Sequence, residues 1–396
     1  MLITPLTPRS VHAPVVEGRR FLRPILKRQK RTDYQVYRRA LMAAVPPHVF
    51  HFIDLWVDLE DIDNLQVMDT SSLFNFVNVQ AKPRSGSDPL QLKPEETGIG
   101  NIVNLKRLND IRYINKYLES ANENLREGGY LIGCVETSVE RWHRLMAKYP
   151  APFNLLYYCL DFMVKRVWPK LPFLKKFYFF LTNGRNRVIS EMEVYGRLRS
   201  CGFRHLDVIE AEGKLYFVAE KIGKPAYNME ATYGPFIKLR RVGKNGKIIK
   251  VRKLRTMYPY AEYLQEHIFN RVGLQSGGKL KNDPRVSTLG RFLRKFWLDE
   301  MPMIVNLLKG EMKFFGVRPL SAHYLSLYPQ EFQEFRSRFK PGLISPFYVD
   351  LPDTLEEIVA SERKYLETYE RLGFLADFLY TFKAIFNIFV RGARSK

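Results

Sequence analysis

Between Tyr113 and Ala219 the chain alternates helix-like and strand-like segments, and this alternation constrains its fold more than any other feature. Tyr113 to Leu125 reads as a helix. Arg126-Glu127 is its charged end, Gly128-Gly129 breaks it, and Tyr130-Leu131-Ile132-Gly133-Cys134-Val135 follows as a buried strand. Ser190 to Cys201 reads as another helix, with a serine cap and early glutamates. Gly202-Phe203 ends it, and Leu215 to Ala219 is a strand. Helices alternating with buried strands cover the faces of a sheet, so the class is α/β. Upstream, 48–80 holds mixed strand-like and helix-like apolar runs, Val49-Phe50-His51-Phe52-Ile53 among them.

Over about 45–222 this layout resembles the C-terminal half of a Rossmann-like methyltransferase domain, through the Leu125-Arg126-Glu127-Gly128-Gly129-Tyr130-Leu131 pattern before the strand. A cofactor-cradling G-x-G-x-x-G turn is missing from the sequence, so the expectation is a scaffold that does not methylate. Cys134, Cys159 and Cys201 have no C-x-x-C spacing, which argues against a disulfide framework and a structural zinc site.

Lysine and arginine number 63 against 41 acidic residues, a net charge of +22. Residues 1–230 carry +9 and the shorter 231–396 carries +13. Such an excess implies a polyanionic partner: nucleic acid, an anionic membrane surface or phosphorylated substrates. The sequence has no run of about 18 uncharged apolar residues for a membrane-spanning helix. Residues 1–44 form a basic arm, 45–224 the Rossmann-like domain and 225–396 a second domain, with a linker from Lys224-Pro225 to Gly234-Pro235. Within the first domain, 153–182 interleaves aromatic runs with basic residues. It reads either as a pair of helices packed on the sheet or as a membrane-interface segment.

The second domain carries the chemistry. Arg241-Val242-Gly243-Lys244-Asn245-Gly246-Lys247 reads as a strand, an Asn-Gly turn and a second strand continuing to Lys253. Asp299 and Glu300 are adjacent and Pro302 follows at once, which places the pair at the start of a helix running to about Leu308. A helix N-terminus favours anions and keeps a carboxylate ionised. Arg291, Arg294 and Lys295 lie one to two turns upstream. Carboxylates among arginines suit Mg²⁺ with a diphosphate better than acid–base work on a neutral substrate. Adjacent carboxyls also lack the separation that glycoside hydrolysis needs. From these residues alone, an acidic cap on an ordinary helix remains the competing reading.

An ordered series of motifs bears on that choice. Gly234-Pro235, Arg241-Val242-Gly243-Lys244-Asn245-Gly246 and Lys253-Leu254-Arg255-Thr256-Met257 come first. Asn282-Asp283-Pro284-Arg285-Val286, Gly290-Arg291-Phe292-Leu293-Arg294-Lys295 and Leu298-Asp299-Glu300-Met301-Pro302 follow. Asn306 to Met312, Val317-Arg318-Pro319 and Lys340-Pro341-Gly342-Leu343 complete the series. It resembles the bacterial sugar transferases, the monotopic polyprenyl-phosphate hexose-1-phosphate transferases. The resemblance implies that Asp299 is a nucleophile on the β-phosphate of a UDP-sugar, that Glu300 holds Mg²⁺ and that Arg318 grips phosphate. It implies further phosphate contacts at Lys253, Arg255, Arg291 and Arg294, and polyprenyl phosphate as acceptor. The fold it implies is a mixed, helix-rich transferase domain with membrane-interface helices, at the cytoplasmic face of a bacterial inner membrane. A homodimer is left open.

The chain departs from that family where a long hydrophobic re-entrant helix would precede Gly234: about 190–230 reads as αβ structure. Glu311 and Val317 replace the common Asp and Pro, and the sequence diverges after Gly342. At the end, 374–391 is amphipathic. Phe374, Leu375, Phe378, Leu379, Phe382, Ile385, Phe386, Phe389 and Val390 share one arc. It reads either as a helix packed on its own domain or as an in-plane helix on an anionic leaflet. Rival readings are an inactive scaffold of a glycan-assembly complex, a methyltransferase and a basic nucleic-acid-binding protein. The last lacks any nucleic-acid-binding motif, and a sugar-nucleotide enzyme on anionic lipid needs the same charge, so no nucleic-acid partner is expected.

Overall fold

A computed structural model of the chain describes residues 38–61, 64–69, 98–227, 234–264 and 283–390. The basic arm falls almost wholly outside these residues, as do 228–233 of the expected linker and Lys279 to Asn282. The architecture is mixed α/β.

The first half is built on a five-stranded sheet of order β1-β2-β3-β5-β4. Strands β1 (Leu65–Met68), β2 (Ile99–Arg107) and β3 (Leu125–Val135) are parallel. β5 (Lys214–Lys221) runs antiparallel to β3 and to β4 (Phe203–Ala211). Side chains alternate across a strand. Leu131 and Phe217 therefore pack under α2 (Ile114–Asn124) and α6 (Glu191–Ser200), while Ile132 and Val218 pack under α1 (Pro47–Trp56). Ser190 caps α6 by accepting from the Glu193 N–H, as its sequence indicates. Between the sheet elements lie α3 (Ser138–Lys148) and a helical pair, α4 (Phe153–Phe162) and α5 (Pro172–Thr182).

The second half opens with the hairpin β6 (Phe236–Val242) and β7 (Ile248–Leu254). Asn245 and Gly246 both take the left-handed region that the turn requires, at φ 54° and 73°. Then come α7 (Thr288–Lys295), a 3₁₀ turn at Leu298–Met303, α8 (Ile304–Leu308) and β8 (Lys313–Phe315). α9 (Gln330–Ser337) leads to β9 (Gly342–Ile344), parallel to β8, and then to α10 (Leu355–Leu372) and α11 (Phe374–Phe389). Phe315, Phe332, Tyr365 and Tyr380 knit these elements into one core.

The two halves meet where α6 crosses the 3₁₀ turn Ala261–Leu264. A Cβ at Gly196 would stand 2.5 Å from the Tyr260 carbonyl, so only glycine allows this approach. Arg197 stacks over the Tyr260 ring at 4.6 Å and pairs with the buried Glu193 at 2.8 Å.

α11 packs in the opposite sense to an ordinary amphipathic helix. Ala376, Tyr380, Ala384 and Asn387 are buried, and Asn387 donates to the Tyr348 and Val349 carbonyls. Phe374, Phe378, Phe382 and Phe386 face outward, Phe374 at 80% exposure. Packing on its own half and presenting an apolar face are therefore both features of this one helix. No helix of the described residues is long and apolar enough to cross a membrane.

Candidate active site

The hairpin sets one wall of the site through its alternation. On β6, Phe236, Lys238 and Arg240 are exposed, while Ile237, Leu239 and Arg241 turn toward the body. On β7, Ile249 and Val251 are buried and Lys253 continues their face. Ile249 and Val251 pack on Met303 and Met312, which brings the 3₁₀ turn bearing the carboxylates against the strand. Asn306 locks the arrangement. Its amide donates to the Lys250 carbonyl at 3.0 Å and to Glu311 at 2.6 Å, and accepts the Arg252 N–H at 3.1 Å.

The carboxylate pair lies in the first turn after Trp297, whose φ of 59° reverses the chain out of α7. The expected α-helical start is instead a 3₁₀ turn that merges into α8. Pro302 offers no N–H to the Leu298 carbonyl, and the tighter turn accommodates that loss. Glu300 Oε1 lies 2.5 Å from Lys253 Nζ. Burial pushes the Asp299 carboxyl above its ordinary value; Lys253 and Arg294 pull it down, and Glu300 adds to the rise. Asp299 forms no salt bridge among the described residues.

α7 is held close by Gly290, where a Cβ would stand 1.9 Å from the Thr256 carbonyl. Ser287 caps the helix by accepting from Gly290 N–H. This seat lets Arg294 donate to Thr256 Oγ1 at 3.0 Å, within electrostatic range of Asp299.

Beside the pair is a cavity of about 290 Å³. Lys253, Glu300, Arg241, Arg318, Tyr348 and Asp353 are among its walls. The Arg318 backbone is fixed by two buried partners: its N–H donates to Glu362, and Arg336 donates to its carbonyl. Its guanidinium is exposed at the cavity wall. Burial and the proximity of Arg318 push the Arg241 guanidinium below its usual value. Neither arginine forms a salt bridge among the described residues, and both face the cavity that Glu300, Asp353 and Glu362 also line.

Lys253, Glu300 and Arg318 are thus brought together, with Asp299 and Arg294 at the adjoining edge. Two expected phosphate contacts lie elsewhere. Arg255 Nε donates to the Gly234 carbonyl at 2.6 Å and its backbone N–H to that of Pro235 at 2.7 Å, so it fastens the Gly-Pro opening. Arg291 lies on the exposed side of α7 and reaches Val286 and Thr288 at 3.4 Å. Arg241 is a cavity residue not singled out from the sequence. Its period-two relation to Leu239, which lines the same cavity, is the signal that marks it. Among the described residues, no three of His, Cys, Asp and Glu converge as a metal cage.

An exopolysaccharide production protein, ExoY, of Sinorhizobium fredii is 33% identical over 153 residues, spanning 37% of this chain and 66% of its own. The galactosyl transferase CpsE of Streptococcus agalactiae is 31% identical over 151 residues, 37% of this chain and 33% of its own. An undecaprenyl-phosphate galactose phosphotransferase of Salmonella typhimurium is 38% identical over 109 residues, 26% of this chain and 23% of its own. The aligned part therefore falls short of two thirds of each relative. Among solved structures, an O-methyltransferase family 2 protein of Planctomyces limnophilus covers 34% of the chain at 18% identity, and its TM-score of 0.20 carries no argument. The family model described as bacterial sugar transferase matches residues 215–391, a stretch that includes the hairpin, the carboxylate pair and the cavity. Through residues 215–391 the chain matches the bacterial sugar transferase family.

Proposed function

We propose that the protein transfers a sugar 1-phosphate from a UDP-sugar to polyprenyl phosphate, releasing UMP, and so begins assembly of a surface glycan such as exopolysaccharide, capsule or O-antigen. The observation that carries this reading is the Asp299-Glu300 pair set against Lys253 beside a cavity faced by Arg241 and Arg318. An Asp299 oxygen attacks the β-phosphorus, forming an acyl-phosphate bond. The bond from that phosphorus to the bridging oxygen breaks, and UMP departs with the oxygen. A phosphate oxygen of the acceptor then attacks the same phosphorus, the acyl-phosphate bond breaks and the carboxylate is restored. An ionised carboxylate suits this role, and the surrounding cations stabilise the charge that gathers on the phosphoryl oxygens.

Glu300, with Asp299 beside it, would hold Mg²⁺. The donor set fits, because this ion takes one or two carboxylates and completes its shell with water and phosphate oxygens. Bound there, it would neutralise phosphate charge. Arg318 and Arg241 meet phosphate oxygens as planar forks, and Lys253 keeps Glu300 oriented.

The acceptor is a lipid, and the outward phenylalanines of α11 provide an in-plane contact with the cytoplasmic leaflet of a bacterial inner membrane. The test is UMP release from a panel of UDP-sugars with polyprenyl phosphate, Mg²⁺ and detergent. Release by wild type and none by Asp299→Asn supports the reading. Equal release by the two proteins would overturn the covalent role, and no release by folded wild type with any donor would favour a scaffold.

A further inference from the structure

The helical pair α4–α5 belongs to the first half of the chain, outside the region that matches the sugar transferase family, yet it has an inverted surface like that of α11. Of residues 153–182, only Asp161, Pro169 and Tyr178 are recorded as buried. Leu156 is 60% exposed, Phe173 90% and Phe180 81%, with Leu155, Leu160 and Phe177 also exposed. A pair of helices whose outer face is this apolar is unstable facing water alone. The pair is nevertheless firmly placed. Arg141, itself buried, grips both oxygens of Asp161 at 2.6 and 2.9 Å, and Lys165 joins at 2.7 Å. Arg166 donates to the Val188 carbonyl, and Tyr178 donates to the Arg185 carbonyl. The polar groups are thus spent inward, and the apolar ones are left outside.

Charge identifies what covers this face. Residues 151–187 contain seven lysines and arginines and one acidic residue, Asp161, which Arg141 and Lys165 already neutralise. Lys176 and Arg185 are exposed beside the phenylalanines. An apolar face rimmed by cations fits the interface of an anionic bilayer. A second copy of the same face would set basic rim against basic rim. α4 runs on through a π turn (Met163–Val167) and a 3₁₀ turn (Trp168–Lys170) that carry Lys165, Arg166 and Lys170, and no helix of the described residues is long and apolar enough to cross a membrane, so the pair lies within the interface.

The location suits the transferase half. The connector places Lys170 within electrostatic range of Arg255, and Tyr158 within range of Tyr258. Thr256, between those two, carries α7, where Phe292 is exposed, as is Phe296 just after the helix.

We infer that α4 and α5 form a second membrane foot, supplied by the first half of the chain, which docks on anionic lipid next to the transferase site. This inference stands apart from the transfer chemistry and adds to the contact assigned to α11.

The test is co-sedimentation of the full chain with phosphatidylcholine vesicles, with and without phosphatidylglycerol. It compares wild type, the double variant Phe173→Ser/Phe180→Ser, and Phe378→Ser/Phe382→Ser. Wild type should bind the anionic vesicles more tightly and be released by salt. The α5 variant should lose at least about tenfold in partition while keeping its thermal midpoint, because both side chains are already exposed. UMP release in detergent should be unchanged, which separates loss of the foot from loss of the chemistry. Undiminished binding by the Phe173→Ser/Phe180→Ser protein would overturn the inference. So would absence of vesicle binding by a wild type whose dimerisation these substitutions abolish, which would make the face a contact between copies.

Discussion

Lys253 on β7 and Glu300 in the 3₁₀ turn lie 2.5 Å apart, joining two segments 47 residues distant in sequence. Both are partly exposed, so the ion pair contributes about 1 kcal/mol or less to folding. Its effect on the proposed reaction is expected to be larger. Lys253→Met is expected to lower kcat by ~10²-fold, because a charge fixed beside the developing phosphoryl charge is lost, while the thermal midpoint moves little. Steady-state kinetics and a melting curve on the same sample check both parts.

The raised Asp299 carboxyl has a pH signature. As the proposed nucleophile it must be ionised, so activity is expected to fall as pH drops through its pKa. Burial places that fall above the value of an ordinary aspartate, 3.8. Removing Arg294, which favours the ionised form, should move the acid limb of kcat/KM further up, whereas Glu300→Gln should move it down. An acid limb in Arg294→Gln that stays with wild type would remove this electrostatic link.

Arg241 and Arg318 face one cavity, and neither is ion-paired among the described residues. Each single change to Gln is expected to raise the donor KM or lower kcat by ~10–100-fold, with an effect of the pair that is not additive if both grip the same phosphate. Arg255→Gln should act differently. It frees the Gly234 carbonyl and is expected to lower the melting point while leaving the donor KM near wild type.

Gly290→Ala brings a methyl group into the Thr256 carbonyl, where only 1.9 Å is available. A cost of ~1–3 kcal/mol in stability is expected, together with loss of activity, since α7 must move and take Arg294 with it. Denaturant unfolding measures the first and UMP release the second.

Lys170 gives a stability prediction at the junction of the halves. Burial, with Arg166 beside it, pushes this amine down to about 7 from 10.5, against the pull of Glu193. Between those two values the unfolded chain binds a proton that the folded chain does not, so stability rises with pH across that window and levels off below it. Lys170→Met should flatten the rise. Melting points from pH 6 to 10 in both proteins settle the sign.

Several parts of this structure are legible in residues read alone. Ser190 announces its cap, Asn245-Gly246 its turn, and the position of Pro302 puts Asp299 and Glu300 at the start of a helical segment. Each of these is a local backbone rule. Arg241, Arg255 and Arg291 show the limit. All three belong to basic motifs, and their roles diverge because strand alternation, a carbonyl at Gly234 and the outer side of α7 decide where each guanidinium goes. The amphipathic pattern of α11 is equally plain from sequence, yet its inward face is settled by Ala376 and Ala384, whose small size lets the helix approach the aromatic core.

That orientation uncouples two properties of the C-terminal helix. The small and polar side anchors it to the protein, so the phenylalanines contribute little to keeping the chain folded. Evolution, or an experimenter, can exchange them to change how long the molecule would reside on a surface without redesigning the core beneath.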